Sequence, residues 1–410
     1  MTTARPQRPM IKPLRIVTVT PVHCHPKWFA SRLARLTTEA LMAMTDRGHK
    51  SIVISPLFDH GETIEIDDAL NNGDGKRDRS NDSVSFYDDR MKIFYCTDAT
   101  QTKKGLESKK MPGLLAEHLP DADLLYIPGP VTPWSLAAAR AARAADRPYV
   151  LDLQGSITAE TLAPKGLRDK MMLKRYEPHF MQADTVIVQD ERESEVITNW
   201  NWKIAVEVCP VGLMSQRYNK RTQARLIEDP YILYQGRVEP GKHIKLVIDA
   251  FDRIANETEP WQLVFAGPCT GGHDKLLEYI RKKRLTDRIV VSGRIKERKR
   301  ALLLQYASIL ACPLEEHEPT LGAIEAMACA IPLLVSPGYH SEEISKSSAG
   351  RVEPLEIGAW ADALKEMIGD ASLRAEMGDG GRLLFEREFR FETRLTKLID
   401  ILRQVKSRKS

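Results

Sequence analysis

The 410 residues include 60 Lys and Arg against 56 Asp and Glu, so the formal charge is only +4 at neutral pH. A charge this small for the length leaves no strong nucleic-acid footprint, and 42% hydrophobic residues can fill two cores. The chain lacks an apolar run long enough to span a bilayer, and its first residues lack the apolar core of a signal peptide. The six cysteines show neither paired nor metal-ligand spacing, which is typical of a reducing cytosol. We therefore expect a soluble, cytoplasmic protein of two or more domains.

Short apolar segments alternate with helical patterns through the first half of the chain. Strands are predicted at 14–21, 50–56, 122–130, 148–156 and 184–190, with helices at 29–45 and 134–145. This alternation predicts a doubly wound α/β sheet. Between 58 and 90 the composition turns polar, and we predict a loop or insertion there. Its carboxylates lack the alternating spacing of a calcium loop.

The loop after the first strand carries His23, Cys24 and His25. Their side chains are of the types that bind zinc. Adjacent residues point in different directions, however, and no fourth ligand follows. The sequence therefore predicts no metal at this loop.

The second half contains a strand, a glycine and two cations in close succession. Residues 231–234 read as a short buried strand, Gly236 opens a loop, and apolar residues at helical spacing follow Lys242. Arg237 and Lys242 therefore lie at the carboxyl end of a strand, where open α/β sheets bind ligands. Because arginine can grip phosphate oxygens in pairs and lysine adds a point charge, we predict a phosphate site. Two solvated surface cations are the alternative.

A second candidate element follows about eighty residues later. A loop with Glu316, His317 and Glu318 precedes a helix that Thr320 can cap and that contains Glu325. A helix N-terminus offers free N–H groups and a partial positive charge, so it can also bind phosphate. For Glu325, a favourable contact with the helix dipole is the simpler alternative.

In this order the motifs resemble the retaining glycosyltransferases of the GT-B fold known as family 4, or glycosyl transferases group 1. The family's G-R-x-x-x-x-K motif is matched by Gly236, Arg237 and Lys242, and its P-S-x-x-E-G-F-G-L-P-x-x-E-A-M-A signature by 313–328. Five further segments resemble strands or the final helix of the family, at 47–55, 205–212, 261–268, 289–295 and 389–404. The resemblance runs over most of the chain.

The resemblance implies an α/β protein with two Rossmann-like doubly wound domains facing across a cleft. An acceptor domain would cover 1–212 and a linker 213–229. A nucleotide-sugar-binding domain would cover 230–388, and a C-terminal helix at 389–410 would cross back to the first domain.

The same resemblance implies transfer of a hexose from a nucleoside-diphosphate sugar, such as a UDP- or GDP-sugar, without metal or cofactor. Arg237 and Lys242 would neutralise the leaving diphosphate. The start of the following helix, at Thr320, Leu321 and Gly322, would supply N–H donors.

Three further residues have implied roles in holding the nucleoside. Glu325 would accept both ribose hydroxyls. The backbone around Gly293 and Arg294 would meet the base, which leaves the identity of the base open.

The spacing of the acidic residues departs from the family. An E-x7-E spacing counted back from Glu325 reaches His317, while Glu318 lies one residue too close and Glu316 one too far. We expect Glu318 to contact the sugar hydroxyls, because its E-P resembles family variants with E-P-F-G. An ungapped alignment would instead place His317 on the donor sugar.

On the acceptor side, Gln154 and Ser156 stand where many members have L-H-G-S. Gln154 can hydrogen-bond a sugar hydroxyl but cannot take a proton. Front-face retaining transfer needs mainly leaving-group stabilisation, so this change need not abolish activity. His23 or His25 is expected to touch the diphosphate or the acceptor, with ordinary loop histidines as the alternative.

The acceptor itself stays open between a glycan, a lipid-linked sugar and a small molecule. The segment 163–176 mixes basic and apolar residues, so it can form either a core-facing helix, which we favour, or a contact with the inner face of a membrane. The basic runs at 294–300 and 406–410 lack interleaved aromatic residues, which argues against nucleic acid. Two alternatives to the hexosyltransferase function stay open. One is a degenerate protein that binds a sugar nucleotide or glycan without transfer, and the other is an enzyme that glycosylates nucleic acid or protein.

Overall fold

The computed structural model describes residues 12–25, 32–59, 62–63, 84–102, 105–156, 167–199, 204–215, 218, 225–236, 238, 242–269, 272–293, 295, 297–313, 321–338 and 340–408. The chain divides into two compact units. The first comprises Met1–Cys209 and Leu395–Ser410, and the second comprises Pro210–Arg394. The predicted boundaries at 212 and 389 lie a few residues from these divisions.

Among the described residues, the first unit contains twelve strands and five helices. The strands are β1 Arg15–Val19, β2 Lys50–Pro56, β3 Phe58–Asp59, β4 Glu62–Thr63, β5 Val84–Asp88, β6 Met91–Cys96, β7 Thr100–Thr102, β8 Gly105–Glu107, β9 Leu124–Pro128, β10 Tyr149–Asp152, β11 Thr185–Val188 and β12 Val206–Val208. The helices are α1 Arg32–Asp46, α2 Lys110–His118, α3 Pro133–Ala144, α4 Leu167–Met181 and α5 Glu191–Thr198.

Eight of these strands form one sheet in the order β12-β11-β10-β9-β1-β2-β6-β5. Within the described chain, its strands pair in parallel except β5, which runs antiparallel to β6. β9 and β10 are buried at every residue, as expected for parallel strands covered on both faces. The strand order changes direction between β1 and β9, so the carboxyl ends of these strands form a topological switch point.

The polar segment predicted between 58 and 90 is only partly a loop. Val84–Asp88 forms β5 and pairs with β6 at the edge of the sheet, and β3 pairs with β4. The residues alternate in polarity over V-S-F-Y-D, and the neighbouring strand completes the pairing. The run 71–82, considered for a calcium loop, lies outside the described residues.

The second unit contains the described strands β13 Tyr231–Gln235, β14 Gln262–Ala266, β15 Ile289–Val291, β16 Ile309–Cys312, β17 Leu333–Val335 and β18 Gly350–Val352. Its helices are α6 Lys242–Ile254, α7 His273–Lys282, α8 Glu297–Tyr306, α9 Leu321–Ala328, α10 Ser341–Lys346, α11 Ile357–Gly369 and α12 Ala371–Glu388. The last helix, α13 Phe391–Arg408, begins in the second unit and continues in the first.

The second sheet is wholly parallel over its described strands, in the order β15-β14-β13-β16-β17-β18. Numbered within the unit, this is the order 3-2-1-4-5-6 of doubly wound nucleotide-binding sheets. Helix α6 covers it with Ile244, Val247, Ile248 and Phe251, which are all buried at the predicted one-sided spacing. The switch point lies between β13 and β16, and this is where the candidate residues of the second half converge.

The basic segment at 163–176 is described only from residue 167, where it forms α4. Phe180 of this helix is 1% exposed and packs in the core of the first unit, whereas Met171 is 66% exposed. The carboxyl-terminal part of the helix therefore packs in the core, while the choice between a core-facing helix and a membrane contact for 163–176 stays a prediction.

Candidate functional site

The site is built at the carboxyl ends of β13 and β16. Helix α9 begins at Leu321, shortly after β16, and a Cβ atom added to Gly322 would lie 3.5 Å from the carbonyl oxygen of Gln235. The first turn of α9 therefore packs against the end of β13. The structure thus brings Gly236, at the end of β13, and the start of this helix to the same edge.

Three glycines lie where the neighbouring strands end, and one of them, Gly267, permits a close approach of two main chains. The amide of Gly236 donates to Ala266 (3.1 Å), and the amide of Gly267 donates to Gly293 (3.1 Å). Gly267 has φ +155°, and a Cβ atom there would lie 1.8 Å from the carbonyl oxygen of Gly236. Only glycine fits this crossing, so the edge of β13, β14 and β15 is formed by main chain.

Glu325 lies in the second turn of α9 and is 1% exposed. Its Oε1 accepts hydrogen bonds from the Tyr218 hydroxyl (3.0 Å) and from Arg300 Nη2 (2.9 Å). Its Oε2 accepts from Gln235 Nε2 (2.7 Å) and from Arg300 Nη1 (2.8 Å). Among these bonds, each carboxylate oxygen accepts one from the charged guanidinium and one from a neutral donor.

This pattern explains how a carboxylate can be buried here. An isolated buried charge is costly, and a guanidinium in a two-bond fork offsets that cost while fixing the plane of the carboxylate. The neutral donors come from β13 and from Tyr218. The site therefore presents an oriented, negatively charged acceptor beside the switch point.

Sequence reasoning missed the three partners of Glu325. Gln235 carried a weak signal, because it is a polar residue that ends an apolar strand. Arg300 lies in a basic run that was weighed only against nucleic acid, and Tyr218 lies in the predicted linker, where nothing marked it.

Several predicted site residues lie outside the described residues. They are Arg237, Arg294, Glu316, His317, Glu318 and Thr320. Lys242 is the first residue of α6, but its side chain is also outside the described set. The roles predicted for these residues stay predictions.

His23 and His25 follow β1 at the switch point of the first sheet, and they are 0% and 3% exposed. The ring of His23 stacks on Tyr95 with centroids 5.1 Å apart, and its Nδ1 donates to the carbonyl of Pro56 at 3.1 Å. Burial lowers the pKa of His23 to about 4, although the bond to Pro56 opposes the shift; the neighbouring His25 adds to it. Near neutral pH, His23 is therefore a neutral, packed imidazole.

Gln154 and Ser156 lie in a half-buried turn after β10, two strands from β1 in the same sheet. Gln154 has φ +49°, a left-handed conformation that non-glycine residues rarely adopt. Its Nε2 lies 3.5 Å from Asp152 Oδ2, which also accepts a 2.5 Å hydrogen bond from Tyr126. The structure therefore places Gln154 at the same sheet edge as His23 and His25.

In the described parts of both units, no group of three or more His, Cys, Asp or Glu side chains is arranged to hold a metal ion. The helices described here are all too short or too polar to cross a membrane.

Solved structures share this architecture. Sucrose-phosphate synthase from Thermosynechococcus elongatus superposes with a TM-score of 0.70 at 17% identity, covering 95% of this chain and 99% of that one. HepE from Anabaena, solved with UDP and glucose, gives a TM-score of 0.68 at 15% identity, covering 94% and 98%. These likenesses establish the GT-B fold, as predicted.

Sequence comparison then identifies the family. Residues 216–384 match the family described as "Glycosyl transferases group 1". This match lies wholly within the second unit, Pro210–Arg394, and covers less than half of the chain. It confirms the resemblance found in the sequence.

Two relatives of established activity match parts of the chain at low identity. A D-inositol 3-phosphate glycosyltransferase of Xylanimonas cellulosilytica is 24% identical over 188 residues, which are 45% of this chain and 44% of the relative. The chain thus spans less than half of that protein. A GDP-mannose-dependent alpha-(1-6)-phosphatidylinositol monomannoside mannosyltransferase of Mycobacterium tuberculosis is 23% identical over 316 residues, 72% of this chain and 78% of the relative.

Proposed function

We propose that this protein is a retaining glycosyltransferase that moves a hexose from a nucleoside-diphosphate sugar to an acceptor hydroxyl. The observation that carries the proposal is the buried, oriented carboxylate of Glu325 at the switch point of the second sheet. The glycine-lined strand ends and the start of α9 lie at the same edge. The match to glycosyl transferases group 1 supports a sugar-nucleotide ligand there.

Arg237 and Lys242 are proposed to stabilise the leaving diphosphate. They belong to the segment that joins the end of β13 to the first residue of α6. As the anomeric bond breaks, negative charge grows on the phosphate oxygen, and fixed cations lower the barrier to that step. These cations and the N–H groups of α9 would serve in place of a divalent metal.

Glu325 is proposed to bind the donor ribose by partner exchange. A ribose offers two hydroxyl donors, and each oxygen of Glu325 has one neutral donor, Tyr218 or Gln235. Two ribose hydroxyls can replace these two neutral bonds while the Arg300 fork keeps the carboxylate ionised and in plane. Each neutral hydrogen bond that is lost would then be replaced by one from the ribose.

The donor is proposed to be a UDP- or GDP-hexose. The solved HepE complex contains UDP and glucose, and the mycobacterial relative is named for GDP-mannose. The names of the relatives include inositol phosphate and phosphatidylinositol mannoside. They favour a polyol or lipid-linked glycan as the acceptor, with glycan and small-molecule acceptors to be tested beside it.

A second candidate function is binding of a sugar nucleotide without transfer. It is favoured by the strained Gln154 at the position where many family members have histidine, and by the altered spacing before Glu325. In this case the donor binds, but no nucleoside diphosphate is released.

A donor screen by thermal shift tests the proposal, because a ligand that binds the folded state raises the unfolding temperature by mass action. The donors that stabilise the protein are then assayed for release of nucleoside diphosphate with candidate acceptors, in a chelator. Release in the chelator supports metal-independent transfer. Stabilisation without release under any acceptor supports the binding protein, and the absence of any stabilising donor contradicts both.

A further inference from the structure

A pocket of about 270 Å³ lies at the amino-terminal edge of the first sheet. It is lined by residues at the start of β1, β2 and β6 and by the segment that follows α2. Because these strands run parallel, this edge is opposite to the one that carries His23 and Gln154. The volume is close to the lower end of small-molecule pockets, roughly 300 Å³.

A row of three cations forms one wall of the pocket. Arg15 and Lys50 are register partners in β1 and β2. The amide of Ser51 donates to the carbonyl of Arg90 at 2.8 Å, which places Arg90 beside Lys50 on the next strand. Neighbouring strands lie about 4.8 Å apart, so the three basic residues are close lateral neighbours.

The next layer of the same face contains two apolar residues and one further lysine. Val17 pairs with Ile52, and Ile52 pairs with Lys92. Side chains two residues apart on a strand point to the same face, so these three lie on the same side as the cation row. All of them line the pocket, and Ala122 adds a further apolar contact. The pocket therefore combines a cationic rim with an apolar floor.

The cations of the rim differ in how they are balanced. The Arg90 guanidinium donates to Asp88 at 2.7 and 3.1 Å, which balances its charge. Asp123 is held by Lys406 at 2.9 Å and by the Arg15 amide at 2.8 Å. Asp89 and Asp121 also line the pocket and are exposed. Within the described part of the chain, neither Arg15 nor Lys50 has a carboxylate at ion-pair distance.

We propose that this pocket binds a small soluble anion, a phosphate or carboxylate on an aryl or short alkyl body. The anionic group would lie between Arg15 and Lys50, where a guanidinium can supply two parallel hydrogen bonds and an ammonium a point charge. The apolar body would cover Val17 and Ile52. Like charges on adjacent strands repel, and the ligand would relieve this repulsion.

Calorimetric titration with phenyl phosphate tests the proposal. Saturable binding to the wild-type protein is expected, and Lys50→Glu and Arg15→Glu are each expected to weaken it by about tenfold or more, since each removes a bond to a charged group. Lys397→Glu is the matched control, because Lys397 is an exposed lysine of the same unit that does not line the pocket. Lys397→Glu changes the net charge by the same amount as Lys50→Glu, and it should leave the affinity for phenyl phosphate unaltered. Benzyl alcohol, which has the ring without the charge, should bind far more weakly than phenyl phosphate.

Two further variants keep the test decisive. Lys50→Gln removes the charge without introducing a negative one, so it replaces Lys50→Glu if that variant does not fold. Arg237→Ala removes a cation of the proposed donor site, so phenyl phosphate bound at that site is lost in this variant, whereas binding in the pocket beside Arg15 and Lys50 should remain. The proposal is overturned if phenyl phosphate does not bind, if both Lys50 variants bind it normally, or if Arg237→Ala abolishes binding.

Discussion

The guanidinium of Arg300 donates two parallel hydrogen bonds of 2.8 and 2.9 Å to the carboxylate of Glu325. The Glu325 side chain is 1% exposed and that of Arg300 is 26% exposed, so the charge pair is largely withdrawn from water. Breaking such a pair leaves a buried charge without compensation, whereas replacing both members by apolar residues often costs little. The pair can therefore be tested separately from catalysis.

Arg300→Leu is expected to lower the free energy of unfolding by about 3 kcal/mol, because it removes the two-bond guanidinium partner of the buried Glu325 carboxylate. Urea denaturation of the purified variant measures this. Lys299→Leu is the matched control, since Lys299 is exposed on the same helix and its loss should have little effect. The double variant Arg300→Leu/Glu325→Leu should be more stable than the single Arg300 variant. If it is less stable, the pair does not account for the loss.

Arg237→Ala and Lys242→Ala are each expected to lower kcat/KM for the donor by about 100- to 1,000-fold while the fold is kept, because one preorganised contact to the leaving group is lost. The measurement is steady-state turnover with the donor found in the screen. Lys245→Ala serves as the control. Lys245 is an exposed lysine on α6, the helix that begins at Lys242, and its Nζ lies 5.3 Å from the ring centre of Tyr279. Wild-type turnover in both site variants would show that the diphosphate lies elsewhere.

Glu325→Gln is expected to raise the dissociation constant for the bare nucleoside diphosphate by about tenfold, because a charged acceptor for the ribose is lost. Tyr218→Phe removes only a competing donor, so it should not weaken this binding. Equilibrium titration of both variants gives the two constants. A weaker complex in Tyr218→Phe would contradict the partner exchange.

Glu318→Ala is expected to leave the dissociation constant for the nucleoside diphosphate nearly unchanged while lowering the rate of transfer, because the proposed contact of Glu318 is with the sugar. Glu316→Ala and His317→Ala are measured in the same transfer assay. The comparison shows which of the three residues fills the first position of the family's E-x7-E pattern. If His317→Ala alone abolishes transfer, the ungapped alignment is correct and Glu318 has no direct role.

The buried His23 should make the protein less stable in mild acid. Its pKa is about 4 in the folded state against 6.5 for the free side chain. Between these values the unfolded chain binds a proton that the folded chain does not, so the free energy of unfolding falls as the pH is lowered from about 6.5 to 4. The full effect of this one group is about 3 kcal/mol.

Urea denaturation at pH 7 and pH 4.5 measures the effect, and His23→Asn is the comparison. Asparagine keeps an N–H donor near the Pro56 carbonyl but does not titrate. The pH dependence of its stability should therefore be shallower than that of the wild type. It should not vanish, since burial also lowers the pKa of His49, with Arg403 and Arg47 contributing. An equal dependence in both proteins would show that His23 is not the source.

Elements with local periodicity could be predicted from the sequence. The strand 231–235 and the helix from Lys242 to Ile254 follow from the spacing of their apolar residues, and Glu325 was placed correctly near the start of its helix. The partners of Glu325 could not be predicted, because Tyr218 and Gln235 are 107 and 90 residues away in sequence. Contacts between residues so far apart in sequence depend on the order of the strands in the sheet. Strand β5 could not be predicted for a similar reason, because its hydrogen-bond partners lie on β6.

The short bridge between Val238 and Cys269 has a practical consequence for spectroscopy. The other five cysteines are buried, and only Cys269 is partly accessible. Burial also raises the pKa of Cys24 to about 12 and that of Cys96 to about 11, so these thiols stay protonated and unreactive. A maleimide fluorophore added to the native protein is therefore expected to attach at Cys269, whose bridge partner Val238 lies two residues after Gly236. Events at that edge can thus be followed by fluorescence without engineering a new cysteine.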